Sequence, residues 1–193
     1  MDFEEFKNKL RDCKHCECFG IEPKPFVGKE KSEKSAKIVQ VSQEPSKSAS
    51  ESGIPFFDRS GKTLIKWYEI SGKEFLNPQL FYITGMAHCY SPDKKVARRL
   101  RRECSKKWLE QELSFLDPHL YIIIGLDAAK FLLNKEFAKL AELVFPKHTL
   151  VFRKRPAYVL PHPSPRSKWP SDNPKFESER LNDIRKAVHE ALH

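Results

Sequence analysis

Four short apolar segments that alternate with helix-like segments constrain the fold of this chain most strongly. We predict strands over 37–41, 80–84, 120–124 and 157–160. The third of these is apolar throughout, which is typical of a strand buried on both faces of a sheet. Because strands that alternate with helices pair in parallel, the sequence predicts an α/β fold. We expect a three-layer α/β/α sandwich around a central, mostly parallel, four-stranded sheet.

Helical patterns fill most of the intervals between the predicted strands. The predicted helices are 2–11, 63–70, 93–115, a helix that opens at Gly125, and 177–192. Residues 21–36 are predicted to form an extended polar connector, and the serine-rich residues 46–53 a loop. No apolar run approaches the roughly 20 residues that cross a bilayer, so we expect no membrane partner. We expect one domain over 1–193, with an N-terminal metal-binding segment over 1–20.

The charge of the chain indicates a polyanionic partner. There are 35 Lys and Arg against 26 Asp and Glu, which gives a formal net charge of +9. Nucleic acid is the first candidate, and a well-solvated basic surface is the alternative. Part of the charge is concentrated in one predicted helix, at Lys94, Lys95, Arg98, Arg99, Arg101, Arg102, Lys106 and Lys107.

The cysteines form a pattern that is typical of a metal centre. Cys13 and Cys16 form a C-x-x-C with Cys18 close behind, and Cys89 and Cys104 follow far along the chain. Four thiolates suit a tetrahedral Zn²⁺ or a [4Fe–4S] cluster. Disulfides are disfavoured because the cysteine count is odd and the acidic start of the chain is no signal peptide. We therefore expect a reducing compartment, the cytoplasm of a prokaryote.

The residues that follow the predicted strands are candidates for the functional site. In parallel sheets, ligands bind where the strands end at their carboxyl edge. Here those ends are Ser42-Gln-Glu-Pro-Ser46, Thr84-Gly-Met-Ala-His-Cys89, Gly125-Leu-Asp127 and His162-Pro-Ser-Pro165.

These motifs, in this order, resemble the uracil-DNA glycosylase superfamily, most closely a divergent member of its iron–sulfur, family-four-like branch. That branch has a G-E-x-P-G motif followed by G-x-P-F, where this chain has Ser42-Gln-Glu-Pro-Ser46 and Gly53-Ile-Pro-Phe56. It then has Y-I-T-N with a cysteine four residues on, matched by Tyr82-Ile-Thr-Gly85 and Cys89. A late H-P-S corresponds to His162-Pro-Ser164. The resemblance covers nearly the whole chain.

The resemblance implies a DNA glycosylase of base-excision repair. Such an enzyme hydrolyses the N-glycosidic bond of a deaminated or damaged base, uracil or another, that has been flipped out of DNA. The partner would be duplex or single-stranded DNA, and we expect a monomer. The resemblance also selects a [4Fe–4S] cluster over Zn²⁺ and assigns its ligands as Cys13, Cys16, Cys89 and Cys104. Cys18 is then not assigned as a ligand.

The resemblance also implies roles for individual residues in the catalytic site. Phe56 is predicted to stack on the base. The alternatives are that Phe57, beside it, stacks instead, or that Phe56 is an ordinary core residue. His162 donates to the pyrimidine O2 as negative charge develops there. Another branch has G-Q-D-P-Y with a catalytic Asp, and Glu44 stands at that position. Glu44 is thus predicted to orient or deprotonate water, or else to be a solvated loop carboxylate. Gln43 is predicted to touch base or water.

The base-binding positions depart from the family pattern. Gly85 stands where the family has the Asn that reads the uracil edge, and Ser42 replaces a glycine. A site that loses such hydrogen-bonding groups loses discrimination, and Gly85 leaves room for a larger or modified base. The first alternative is a non-catalytic DNA- or lesion-binding protein that kept the fold and the cluster. The second is a zinc-stapled nucleotide-binding protein.

The loop after His162 is predicted to contact DNA. Ser164, Arg166 and Lys168 are the candidate contacts. Relatives insert a wedge into the duplex here, and Arg166 is placed to fill the gap left by a flipped base. Trp169 is predicted either to stack on DNA or to pack against the protein.

Overall fold

The computed structural model describes residues 1–27 and 36–193, and within them the chain forms one five-stranded sheet. Its strands are β1 (Ile38–Ser42), β2 (Phe81–Gly85), β3 (Leu120–Ile124), β4 (Leu150–Phe152) and β5 (Arg155–Leu160). Their order across the sheet is β2-β1-β3-β5-β4. All neighbours pair in parallel except β4 and β5, which are antiparallel. The predicted connector over 21–36 extends into residues 28–35, which lie outside the described residues.

The predicted fold class is confirmed, but a four-stranded sheet was wrong by one strand. The additional strand, β4, is only three residues long, and its middle residue, Val151, is exposed. It joins β5 through Arg153 and Lys154, which both have positive φ. A short half-exposed edge strand beside charged turn residues carries too little apolar pattern to be recognised from sequence.

Helices cover both faces of the sheet. They are α1 (Phe3–Arg11), α2 (Lys47–Ser52), α3 (Arg59–Tyr68), α4 (Gly72–Phe75), α5 (Lys94–Cys104), α6 (Glu110–Ser114), α7 (Leu126–Leu132), α8 (Leu140–Val144), α9 (Trp169–Asp172) and α10 (Leu181–Leu192). A π-type turn over Ser105–Leu109 joins α5 to α6, and another over Phe176–Arg180 leads into α10. A short 3₁₀ helix, His15–Phe19, follows α1.

Alternating strand residues face the two helical layers. On one face, the Tyr68 hydroxyl of α3 donates to Gln40 at 2.7 Å, and its ring stacks on Phe81. On the other face, the Tyr82 hydroxyl donates to Glu112 of α6 at 2.7 Å, and Phe3 of α1 packs on Tyr82. Strand residues of β3 are fully buried between the layers, as the apolar pattern predicted.

The serine-rich segment forms a helix rather than the predicted loop. Ser46 caps α2 by accepting a hydrogen bond from the Ala49 N–H at 3.2 Å. Gly53 ends the helix in the left-handed region at φ 69°. These two capping residues delimit a single short helix whose serine content suggested a loop.

Among the residues that the structure describes, no helix has the length and apolarity needed to cross a membrane.

Candidate active site

A cavity opens at the carboxyl edge of the sheet, where three of the four predicted strand-end motifs meet; Gly125-Leu-Asp127 is not part of its lining. Its volume is about 230 Å³. This is below the roughly 300–1,000 Å³ of sites that take drug-sized ligands, so the cavity suits a small group. The walls contain residues from the loops after β1, β2 and β5 and from the segment before α3. The chemistry-bearing ones are Ser42, Gln43, Glu44, Phe56, Gly85 and His162.

Backbone hydrogen bonds join the loops after β1 and β2 into one wall. Met86 N–H donates to the Ser42 carbonyl and Ala87 N–H to the Gln43 carbonyl, both at 2.9 Å. The Ser42 hydroxyl is directed at the Thr84 carbonyl, 3.2 Å away. The side-chain amide of Gln43 lies against the main chain beyond β3. This wall is therefore held mainly by peptide groups.

Gly85 is buried within this wall. A Cβ atom on Gly85 would lie 3.1 Å from the Ala87 carbonyl oxygen and 3.2 Å from the Gln43 carbonyl oxygen. The space that the sequence predicted at Gly85 for a larger or modified base is therefore limited close to the backbone. A larger residue fits here only if one of these two peptides shifts by a few tenths of an ångström.

Phe56 reaches the cavity through an unusual turn. Its backbone has φ 53°, a region that residues other than glycine occupy rarely. The Phe56 carbonyl accepts from Asp58 N–H at 2.8 Å and lies against α3 at Gly61. Asp58 in turn caps α3 by accepting from Ser60 N–H at 2.8 Å. Phe57, the alternative stacking residue, is 57% exposed outside the cavity.

His162 lies at the rim of the cavity with its ring orientation fixed by the backbone. Ser164 N–H donates to His162 Nδ1 at 3.1 Å. A backbone N–H is always a donor, so Nδ1 is the acceptor and the neutral ring carries its proton on Nε2. That tautomer leaves Nε2–H available to a group bound in the cavity.

Glu44 is fixed by an arginine that the sequence analysis assigned only to the basic helix. Arg101 of α5 donates through Nη1 to Glu44 Oε2 at 2.9 Å and through Nη2 to Asp127 Oδ2 at 2.9 Å. Arg101 is the inward-facing member of the basic run, because it shares the buried stripe of Ala97, Leu100 and Cys104. Helical spacing alone could have separated it from its exposed neighbours.

Burial shifts the pKa values of both candidate catalytic groups. Partial desolvation raises the pKa of Glu44 above its usual value, and Arg101 opposes this rise. The Glu44 carboxylate therefore takes up a proton at a higher pH than an ordinary glutamate does. Desolvation lowers the pKa of His162, although the residue is exposed at the rim, so its imidazole is neutral at pH 7. Acidification therefore removes both the carboxylate and the neutral ring.

A buried carboxylate supports the end of β2 beneath the cavity. Glu112 is 1% exposed and accepts from the Tyr82 hydroxyl at 2.7 Å and the Thr84 hydroxyl at 2.9 Å. His88 Nε2 lies 3.3 Å from Glu112, without hydrogen-bond alignment, and its Nδ1 lies 3.1 Å from the Phe26 carbonyl. Burial favours a lower pKa for His88, but the Glu112 carboxylate outweighs it and the pKa is raised. Sequence reasoning missed this network.

The loop after His162 forms a turn with basic residues outside it. The Ser164 hydroxyl accepts from Arg166 N–H at 3.3 Å, and its carbonyl accepts from Ser167 N–H at 2.8 Å. Arg166 and Lys168 are exposed beside the cavity rim. Trp169 packs on Phe145 and Phe176, which favours its packing role over stacking on DNA.

The four predicted cluster ligands converge on one apolar site. Cys16, Cys89 and Cys104 are buried beside Leu100, and Cys13 is half-buried within electrostatic range. The Cys16 thiol is hydrogen-bonded to Cys89. Together with the backbone N–H of Lys24, this lowers the pKa of Cys89 to about 7. Desolvation raises the pKa of Cys104 to about 12.

The thiols of Cys13, Cys16, Cys89 and Cys104 are donors of the kind that hold either a tetrahedral Zn²⁺ or an iron–sulfur cluster. Across 1–27 and 36–193, no three His, Cys, Asp or Glu side chains are spaced to hold one metal ion. Cys18 is exposed, and its thiol is directed at the His15 carbonyl 3.0 Å away, so it is apart from the other four.

Comparison with known proteins identifies the family. The sequence model described as the Uracil DNA glycosylase superfamily matches residues 30–185, most of the chain. A protein of Archaeoglobus fulgidus named Type-4 uracil-DNA glycosylase is 25% identical over 187 residues, covering 90% of each chain. A protein of the same name from Pyrobaculum aerophilum is 24% identical over 134 residues, covering 69% of this chain and 66% of its own.

These matches confirm the resemblance that the strand-end motifs predicted, including its family-four character. They also confirm the predicted class of enzyme, a DNA glycosylase of the uracil-DNA glycosylase type. The chain belongs to the uracil DNA glycosylase superfamily.

Proposed function

We propose that the protein removes uracil, or another deaminated or damaged base, from DNA after that base has been flipped into the cavity. The observation that carries the proposal is the convergence of Phe56, Glu44 and His162 on one small cavity at the carboxyl edge of the sheet. Glycosidic cleavage needs a stacking surface, a group that orients water and a donor to the departing base. One residue of each kind lines this cavity.

In the proposed mechanism, His162 stabilises the leaving base. Its Nε2–H donates to the pyrimidine O2 while negative charge accumulates there, and Ser164 keeps the ring in the required tautomer. Loss of a donor of this kind costs about 2.7–4 kcal/mol of transition-state stabilisation. A neutral ring serves this role, which agrees with the lowered pKa of His162.

Glu44 orients the attacking water in the same mechanism. Its Oε2 is occupied by Arg101, and in the described part of the chain no donor engages Oε1. That oxygen can accept a hydrogen bond from water as the sugar acquires oxocarbenium character. Phe56 stacks on the base, and Gln43, Ser42 and Gly85 line the wall beside it.

DNA binding is proposed to use the rim of the cavity. Ser164, Arg166 and Lys168 follow His162 directly, and the exposed basic residues of α5 add positive charge. A [4Fe–4S] cluster on Cys13, Cys16, Cys89 and Cys104 would act as a structural tie between the N-terminal segment, the loop after β2 and α5. In this proposal, the groups that act on the base and on the attacking water are side chains of this protein.

A panel of oligonucleotides tests the proposal. Duplex and single-stranded DNA carrying uracil, hypoxanthine, xanthine or hydroxymethyluracil is incubated with the protein, and abasic sites are revealed by alkali cleavage. We expect cleavage at one or more of these bases at low salt. Cleavage at none of them counts against the proposal.

A second candidate function rests on Gly85. Gly85 has no side chain that could read a base edge, and a Cβ added there would lie close to two carbonyl oxygens. A lesion-binding protein without catalysis is therefore the competing function. Damage-dependent DNA binding with no abasic product distinguishes it.

A further inference from the structure

Arg101 connects two strand-end loops from beneath the candidate active site. Among the Lys and Arg residues of 94–107, all of which the structure describes, it is the only one that is not exposed. Its side chain is 12% exposed, whereas those of its partners Glu44 and Asp127 are 20% and 44% exposed. A cation buried in this way is unavailable for free contact with DNA phosphates.

The geometry uses the fork of the guanidinium group. One terminal nitrogen donates to Glu44 and the other to Asp127, each at 2.9 Å. Arg presents donors in a rigid plane, so both carboxylates are held in fixed positions relative to α5. Lys carries a single compact charge and cannot span the two carboxylates in the same way.

The charges around Glu44 make this bridge consequential. Desolvation raises the pKa of Glu44. Arg101 opposes that rise, whereas Asp127 adds to it by repulsion. Arg101 also lowers the pKa of His162, which Asp58 opposes from the cap of α3. Removal of Arg101 leaves two carboxylates facing each other, and removal of Asp127 leaves Glu44 with the cation alone.

We propose that Arg101 is a positioning residue that fixes the Glu44 carboxylate over the cavity, with Asp127 anchoring the guanidinium from the far side. The inference rests on the proposed function, in which Glu44 orients water. It separates Arg101 from the rest of the basic helix, whose exposed charges are proposed to meet DNA.

The test compares Arg101→Gln, Arg101→Lys and Asp127→Asn with a matched control, Arg155→Gln. Arg155 also donates to a carboxylate at 2.9 Å, that of Asp117, but at the opposite edge of the sheet. Two quantities are measured as a function of pH: the single-turnover rate of base release at saturating protein, and the ¹³C chemical shift of the Glu44 carboxyl carbon, assigned with Glu44→Gln.

We expect Arg101→Gln to lower the rate ~10²-fold, because a misplaced catalytic group costs that much. The acidic limb of this variant's pH–rate profile and the Glu44 titration should both move to higher pH. Asp127→Asn should move both to lower pH, because a repulsive charge is lost. Arg101→Lys should recover part of the rate, and Arg155→Gln should match the wild-type protein. Opposite displacement of one titration by two substitutions is not expected from a merely structural role.

The inference is overturned if Arg101→Gln leaves the Glu44 titration where Arg155→Gln leaves it. Should Arg101→Gln fail to fold, Arg101→Lys and Asp127→Asn decide the matter by the same two readouts. A wild-type protein that releases no base refutes the proposed function. The carboxyl titration needs no activity, so it still decides whether Arg101 controls Glu44.

Discussion

At the scale of single residues, the proposed mechanism depends on two side chains, which are proposed to act on different atoms of one transition state. Glu44 lies in the cavity wall, held by Arg101, and His162 lies at the rim, held by the Ser164 N–H. Each is fixed by a donor from outside the cavity. The proposed roles need Glu44 as a carboxylate and His162 as a neutral ring. Desolvation raises the pKa of Glu44, with Arg101 opposing the rise, and desolvation lowers the pKa of His162.

We predict that Glu44→Ala and His162→Ala each lower the single-turnover rate ~10²-fold or more while leaving DNA affinity nearly unchanged. Rates are measured at low salt, with binding followed separately by fluorescence anisotropy. An unchanged rate for Glu44→Ala removes Glu44 from the mechanism. If His162→Ala is also without effect, the lesion-binding account is the better one.

Gly85 gives a second prediction at this scale. Gly85→Asn and Gly85→Ala introduce the same Cβ, so both meet the carbonyls of Ala87 and Gln43 at 3.1 and 3.2 Å. Only Asn adds an amide that can read uracil. We expect faster uracil excision by the Asn variant than by the Ala variant. Equal rates would mean that the pocket reads its base through other groups.

At the scale of secondary-structure elements, close contacts between short segments shape the site. The turn that presents Phe56 is pressed against α3, where a Cβ on Gly61 would lie 2.0 Å from the Phe56 carbonyl oxygen. This contact is backbone against backbone, so a side chain at 61 forces the turn to move. The positive φ of Phe56 is maintained by this packing and by the Asp58 cap.

We predict that Gly61→Ala displaces Phe56 and lowers both affinity for a flipped base and the excision rate. The matched control is Gly72→Ala in α4, where the nearest atom to an added Cβ is Ile65 Cδ1 at 3.8 Å. That substitution fits without strain and should be silent or slightly stabilising. The binding of oligonucleotides with an abasic site, which need no stacking, should be changed less in Gly61→Ala. Parallel loss with both oligonucleotides contradicts a specific role for the turn.

The four-cysteine site joins three segments: the 3₁₀ helix that follows α1, the loop that follows β2, and helix α5. Because a metal bound there closes long stretches of chain, we predict that Cys89→Ala gives colourless, poorly soluble protein with a lowered melting temperature. Cys18→Ala is the control and should retain a broad absorption band near 400 nm, as it lies apart from the other four thiols. Full colour in the Cys89 variant would show that Cys89 is no ligand.

At the scale of the whole molecule, sequence patterns predicted most of the sheet and the edge at which the site forms. The parallel strands were visible as apolar runs, and the carboxyl ends of β1, β2 and β5 meet around one cavity. Strand β4 was missed because an exposed edge strand has little apolar pattern, and α2 because serines suggest loops. The inward position of Arg101 was missed because its basic neighbours suggested a charged, exposed segment. Arg101 nevertheless lies on the buried stripe of α5. The roles of the site residues stay predictions.

The most direct test of the central claim is the quantity of free base that the wild-type protein releases from DNA. Free uracil and the other panel bases are measured by mass spectrometry in single turnover, alongside DNA binding on the same oligonucleotides. His162→Ala, prepared identically, controls for contaminating glycosylases. The account predicts stoichiometric release of at least one base by the wild-type protein and at least ~10²-fold slower release by the variant. Tight binding to damaged DNA with no free base, or equal release by both proteins, would contradict it.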